Sequence, residues 1–283
     1  MIEPRVPLVA SSDSLREKRA RLEGILSGLG RVLIAYSGGV DSAVLLAEAH
    51  RVIGDRARGV IAKSPSLPET ELHQALALAE ERGIPVRVIE TDEMDRAEYR
   101  ANRPDRCYHC KTELFEKLEA LAQAEGWSSI AYGAVTDDLG DVRPGMTAAD
   151  RHRVRAPLLE AGLSKVEIRM LARRLGLRVW DKPQSACLAS RIPHGSEVTP
   201  EKLKQVERGE AALRERLGLR VVRLRHEGSK ARIEVAPADV PRLLRPEEKG
   251  AVLAIVQELG FAELEIDPRG YRRADPLPPI QED

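Results

Sequence analysis

The chain has 283 residues, 42% of them hydrophobic and 32% charged, with 45 basic against 45 acidic side chains. Length and composition are those of a globular chain of one large domain or two modest ones. The zero net charge leaves no global basic excess of the kind a duplex-binding protein carries, and no apolar run is long enough to cross a bilayer.

The leading MIEPRVPLVASSDS lacks the basic and apolar regions of a secretory signal, so a cytoplasmic protein is expected. Thiols stay reduced there, and an odd count of three cysteines argues against a disulfide framework. Arg far outnumbers Lys, and Asn102 is the only asparagine.

In chain order, residues 13–29 predict an amphipathic helix with Leu15, Leu22, Ile25 and Leu26 near one face. Strand-length apolar segments follow at 31–36, 58–63, 86–90 and 129–132, separated by helical patterns at 41–53, 69–82 and 111–125. Such alternation predicts an α/β fold with a parallel, doubly wound sheet. A further helix is expected over 163–177, and 180–200 reads as an irregular loop. A charged helix at 201–217 precedes a hairpin built on LRVVRLRHEGSKARIEVAP, where period-two alternation breaks at a Gly-Ser turn. A helix at 246–259, a strand at 262–266 and a proline-rich tail complete the pattern. The change of texture places a boundary near 181–200, giving domains 1–180 and 181–283, the second a smaller α+β domain.

The stretch SGGVDS at 37–42 ends a strand and opens a helix. Ser37, Gly38 and Gly39 put bare backbone N–H groups at a helix N-terminus, an anion site that glycine lets a ligand approach closely. Ser37 and Ser42 add hydroxyl donors, and Asp41 can cap the helix or hold a magnesium ion that bridges phosphates. The loop lacks the lysine and spacing of a P-loop and the glycine pattern of a dinucleotide binder. It resembles the pyrophosphate loop of the ATP-pyrophosphatase (PP-loop) superfamily, whose members cleave ATP between the α and β phosphates. That resemblance implies a nucleotide site over Ala62, Lys63 and Ser64, with Gly133 after the fourth strand.

Cys107 and Cys110 are spaced i, i+3 and share a face if CYHCKTELFEKLEAL is helical. Arg106 and Lys111 beside them favour thiolate. Cys187 lies in the irregular loop. Four readings stay open from these residues: a [4Fe–4S] cluster on three thiolates with one open iron, a zinc site completed by His109 or His194, a redox or persulfide pair with Cys187 acting separately, and small side chains in a core.

AYSGGVDS, NRPDRCYHCK, TDDLGDVRPG, DKPQSACLASRIPHG and the VRLRHEG…ARIE hairpin together resemble the LarE-type sulfur transferases over roughly residues 13–273. The resemblance implies that ATP adenylates a carboxylate of pyridinium-3,5-biscarboxylic acid mononucleotide. A sulfur nucleophile then displaces AMP, giving a thiocarboxylate on the way to a nickel-pincer nucleotide cofactor. It implies ATP, Mg²⁺ and, for the three-cysteine form, a [4Fe–4S] cluster on Cys107, Cys110 and Cys187. A one-cysteine form, in which Cys187 would surrender its own sulfur, is the alternative. Arg191, Arg223, Arg225 and Arg272 then suit the phosphate and carboxylates of an anionic mononucleotide, and Glu210 would orient one of them. Asp138, Asp141 and Arg143 would serve magnesium or ribose, Asp138 joining Asp41 at the metal. Trp180 reads as core. The implied partners are sulfide or a sulfur-donating protein, and copies of the chain itself in a homo-oligomer, perhaps a hexamer. No nucleic acid or membrane is expected.

Three other functions compete. A PP-loop tRNA-thiolating enzyme would need an added tRNA-binding domain or a basic, aromatic surface. An amide-forming synthetase would have no use for three cysteines. A nucleotide-sensing module would release no pyrophosphate.

Overall fold

The computed structural model describes residues 12–140, 144–183 and 186–271. Its elements in chain order are α1 (Ser12–Ser27), β1 (Val32–Ala35), α2 (Val40–Ile53), β2 (Ala57–Lys63), α3 (Glu69–Glu81), β3 (Val86–Glu90), α4 (Ala97–Arg100), α5 (Arg106–Glu125) and β4 (Ser129–Tyr132). There follow α6 (Pro144–Arg151), α7 (Pro157–Glu160), α8 (Lys165–Arg174), α9 (Pro200–Leu217), β5 (Val222–Glu227), β6 (Lys230–Val235), α10 (Val240–Leu243), α11 (Pro246–Glu258) and β7 (Glu263–Ile266). Packing divides the described residues into two units. The first holds the stretches 12–63, 69–91 and 110–183, the second 64–68, 92–109 and 186–271.

In the first unit the four strands pair in parallel in the order β3-β2-β1-β4. This is the expected doubly wound sheet, and β1 at its centre is buried on both faces. The edge strand β3 departs from the continuous apolar reading, with Val88 40% exposed, because an edge has a neighbour on one side only. Leu15, Leu22 and Leu26 of α1 are fully buried, each worth roughly 1.5–3 kcal/mol relative to exposure. The fully buried Glu48 of α2 accepts hydrogen bonds from Arg19 at 2.9 Å and Arg51 at 2.8 Å, so the acid that α2 carries into the interior pins α1 to it.

In the second unit β5 and β6 form the expected hairpin, and β7 adds in parallel to β6. Val222, Leu224, Ala231, Ile233 and Val235 are the buried face. α9 starts on a Thr199 cap with Pro200 in its first turn and ends at Gly218 in the left-handed region. It lies on β5 at Gly209, where a Cβ would come within 2.3 Å of Leu224. No helix among the described residues is long and apolar enough to cross a membrane.

The far end of this sheet is tied by Asp267. Its carboxylate accepts from the Arg269 backbone at 2.9 Å and from the Arg269 and Arg232 side chains, each at 3.0 Å to Oδ2. The Arg269 hydrogen bonds, with Arg232 behind them, hold Asp267 well below the usual carboxylate range. A carboxylate with a depressed folded pKa stabilises above its unfolded value and loses that contribution as pH falls. Asp267→Asn is therefore expected to lower the thermal midpoint at pH 7 and to flatten its fall below about pH 4, as read by circular dichroism melts.

Candidate active site

The first unit places its polar groups at the carboxyl ends of β1 and β4. The chain runs β1 to β2 to β3 on one side and returns to β4 on the other, so the switch point of the sheet lies between β1 and β4. Open parallel sheets bind ligands there. β1 leads through Tyr36, whose phenol donates to Ala75 O at 2.9 Å, into Ser37, Gly38 and Gly39. Gly38 has φ +71°, and a Cβ on it would meet Ala75 Cβ at 2.6 Å. Glycine is needed there for both reasons. Gly133, after β4, would carry a Cβ within 2.9 Å of Ser42 N and 3.1 Å of Ser42 Cα, so its bareness lets the β4 loop rest on the first turn of α2. Ser42 Oγ accepts from Ser37 N at 3.1 Å, lies 3.1 Å from Ser37 Oγ and donates to Gly39 O at 3.1 Å, closing the loop on itself.

Asp41 does not cap α2. Gly39 is the cap and makes no side-chain capping bond, which leaves Asp41 in the first turn. Its carboxylate pairs with Lys165, while Oδ1 is buried without a hydrogen-bond partner. Burial raises its pKa, opposed by Lys165 and assisted by Asp138. The Asp138 carboxylate accepts from Val135 N at 3.0 Å. A buried carboxylate oxygen without a donor, near a second carboxylate, fits a hard cation, and the glycine cradle beside it fits phosphate. Lys165 was not read from the sequence. LSKVE signals the start of α8 at Lys165 through the Ser164–Glu167 capping box, and nothing in it points to Asp41. Ala62 is half-buried at the end of β2, and the Ser64 hydroxyl of the second unit donates to the buried Glu93. Asp141, Arg143 and Arg272 lie outside the described residues.

In the second unit the cysteine loop is held by arginines. Cys187 is exposed and opens a 3₁₀ turn over Leu188–Arg191. Arg191, 2% exposed, donates through Nε to Glu210 Oε1 at 2.9 Å and through Nη2 to Oε2 at 3.3 Å. Its Nη1 serves Ala186 O at 2.5 Å, Cys187 O at 2.9 Å and Ser190 Oγ at 3.1 Å. Arg225 donates to Ser190 O at 2.9 Å and to Glu234 at 2.8 Å. Glu210 is buried rather than on a solvated surface, and also accepts from Arg214 at 2.8 Å and Leu224 N at 3.2 Å. Arg223 is 4.0 Å from Glu210 and 5.1 Å above the Tyr271 ring. Burial first, then Arg191, lowers its pKa. Neither strand arginine is a solvated face: Arg223 is buried and Arg225 half-buried.

α5 begins at Arg106, earlier than the apolar pattern suggested, so Cys107 and Cys110 fall one turn apart inside it. The core reading of the cysteines is overturned, since Cys107 and Cys187 are exposed and Cys110 half-exposed, and none is in a disulfide. Trp180 is half-buried, with Arg173 5.4 Å above its ring. His109 faces Asp105 at 3.4 Å and His194 faces Asn102 O at 3.1 Å. Among the described residues no group of three or more His, Cys, Asp or Glu side chains is arranged to hold a metal ion. The thiols have the donor chemistry of an iron–sulfur site. A cavity of about 320 Å³ in this unit is lined by Arg106, Arg191, Arg225, Arg232, Glu227 and Glu234 among others, four guanidiniums against two carboxylates.

A glycine-cradled anion site at the switch point of a parallel sheet, with an acid in the first helical turn, is the arrangement of the PP-loop proteins. No family model matches the chain. An uncharacterised protein of Synechocystis sp. is 42% identical over 258 residues, covering 91% of this chain and 96% of that protein. A pyridinium-3,5-bisthiocarboxylic acid mononucleotide synthase of Lactiplantibacillus plantarum is 34% identical over 260 residues, 92% of this chain and 93% of that protein. A tRNA-specific 2-thiouridylase of Geobacter metallireducens is 30% identical over 198 residues, 55% of this chain and 53% of its own. The chain belongs to the LarE-type family of pyridinium-3,5-bisthiocarboxylic acid mononucleotide synthases.

Removing Glu210 leaves a buried guanidinium unpaired. Glu210→Ala is expected to destabilise the fold by about 3–5 kcal/mol, measured by urea unfolding. The paired replacement Arg191→Met with Glu210→Leu is expected to recover part of that loss.

Proposed function

We propose that the chain is an ATP-dependent sulfurtransferase of nickel-pincer nucleotide biosynthesis, acting on a carboxylate of pyridinium-3,5-biscarboxylic acid mononucleotide. The observation that carries this reading is an exposed cysteine on a loop fastened by arginines that also line a cavity of about 320 Å³. Such a cavity suits a small anion better than a long nucleic acid. The carboxylate oxygen attacks the α phosphorus of ATP and pyrophosphate leaves. The loop of Ser37, Gly38, Gly39 and Ser42 receives the phosphates, with Gly133 behind it and Ala62 and Ser64 at the nucleotide. Asp41 and Asp138 would hold Mg²⁺, which neutralises phosphate charge, and Lys165 balances Asp41 until the ion arrives. Arg223, Arg225 and Arg272 take the substrate's phosphate and carboxylate charge, and Arg191, locked to Glu210, fixes the loop. A sulfur nucleophile then displaces AMP from the acyl carbon.

A [4Fe–4S] cluster on Cys107, Cys110 and Cys187 would supply sulfide to that step when bound. Sulfide or a sulfur-donating protein would restore the sulfur, in a cytoplasmic homo-oligomer. The domains of the reaction are 1–180 for ATP and 181–283 for the mononucleotide.

Anaerobic purification, an absorption spectrum, and iron and acid-labile sulfide analysis test the cluster. Roughly four iron and four sulfide per chain, lost in Cys107→Ala, are expected, with thiocarboxylate formed over many turnovers. An iron-free protein that thiolates once, losing the mass of H₂S from Cys187, would replace the cluster by sacrifice of Cys187. A chain that releases no pyrophosphate with ATP and the mononucleotide would overturn the whole reading.

A further inference from the structure

Arg106 is 5% exposed, yet among the described residues it has no carboxylate partner. Its Nη1 donates to Asn102 Oδ1 and to Ala189 O at 2.8 Å, and its Nη2 lies 3.9 Å from Cys187 Sγ. The other arginines of the cavity wall are compensated: Arg191 by Glu210, Arg225 by Glu234, and Arg232 by Glu227, Glu234 and Asp267. A guanidinium cannot shed its proton at any ordinary pH, and a buried charge without a counter-charge is costly. Arg106 is also held still. Asn102 is fully buried, sits at φ 52°, and reaches Ile192 O at 3.1 Å, Pro193 O at 2.8 Å and Ser196 O at 2.9 Å through Nδ2. A fixed, uncompensated cation on a cavity wall beside a sulfur is a site prepared for negative charge that appears there.

We propose that Arg106 is a catalytic residue of the sulfur-transfer step, binding the acyl oxygen of the adenylated substrate next to the sulfur carried at Cys187, with Asn102 as its positioning residue. This rests on the sulfurtransferase reading. A sulfur lone pair forms the C–S bond, and the carbonyl π pair moves onto the oxygen that Arg106 Nη2 contacts. That pair returns as the bond from carbon to the phosphate oxygen breaks, and AMP departs with its electrons. Sulfide as the nucleophile gives the thiocarboxylate directly. Where Cys187 Sγ itself attacks, loss of the Cα proton and cleavage of its Cβ–Sγ bond release the thiocarboxylate and leave dehydroalanine, and neither route needs an oxidant or reductant. The sequence put Arg106 beside Cys107 and Cys110; the fold turns its guanidinium to Cys187, 81 residues away.

The test uses the full chain, anaerobically, with ATP, Mg²⁺ and the mononucleotide. Pyrophosphate release and thiocarboxylate formation are measured separately for wild type, Arg106→Lys and Arg106→Ala, with the exposed Arg103→Ala as the surface control. Thiocarboxylate formation is expected to fall by about 100-fold or more in Arg106→Ala, the scale of losing one oxyanion donor, while pyrophosphate release falls by less than about tenfold. Added guanidinium ion is expected to restore part of the thiolation, which lost packing alone would not allow. Equal losses in both half-reactions, thiolation within about threefold of wild type, or no response to guanidinium would overturn the proposal. A wild-type chain that makes no thiocarboxylate would instead overturn the sulfurtransferase reading beneath it.

Discussion

A loop that presents a cysteine without belonging to a sheet or a long helix must find donors for its own carbonyl groups. The loop around Cys187 finds them in arginine side chains. Ala186 O and Cys187 O go to Arg191, Ala189 O to Arg106 and Ser190 O to Arg225. The Leu188 amide goes to Ser66 O at 2.9 Å. Guanidinium carries several donors in a fixed plane, so a few side chains do the work that a ladder of backbone bonds does elsewhere. The exposure of Cys187 and the charge of the neighbouring cavity both follow from that solution.

Those arginines in turn require carboxylates, and the second unit is built to supply them. Gly209 lets α9 approach β5 closely, and the next residue, Glu210, reaches both Arg191 and the Leu224 amide. On the polar face of the hairpin Arg225 and Arg232 stand directly opposite each other, an unfavourable pairing of like charges. Glu234 lies between them and binds both. Among the described residues the arginines of the cavity wall are thus paired with carboxylates, Arg106 excepted.

The first unit obeys a different constraint. Its anion site needs backbone N–H groups free of side chains, at the one place where strand order reverses. Gly38 and Gly133 meet that need from the two strands that flank the switch point, each where a Cβ would collide with its neighbour. The half-buried Asp41 beside them, its Oδ1 closed off from solvent, is costly in isolation, and Lys165 of α8 pairs with it. A carboxylate that its own protein balances only in part, with Oδ1 buried and without a donor, is one that a phosphate-bound metal can complete.

Much of this was legible in the chain itself. Period and punctuation determined the strands of the parallel sheet, the hairpin and most helices, because burial on two faces or one leaves a direct imprint on residue order. SGGVDS determined a glycine turn from β1 into α2, because a positive φ and close packing at Gly38 call for that residue. The spacing of Cys107 and Cys110 determined that they share a helix face. Tertiary structure alone decided which arginines of the cavity wall have a carboxylate partner and which does not. Arg191, Arg225 and Arg106 look alike in sequence, and their roles separate only when Glu210, Glu234 and Asn102 arrive from elsewhere in the chain. Lys165 at Asp41 and Arg106 at Cys187 were invisible for the same reason: a charge pairs with what the fold brings near it, and sequence separation carries no information about that distance.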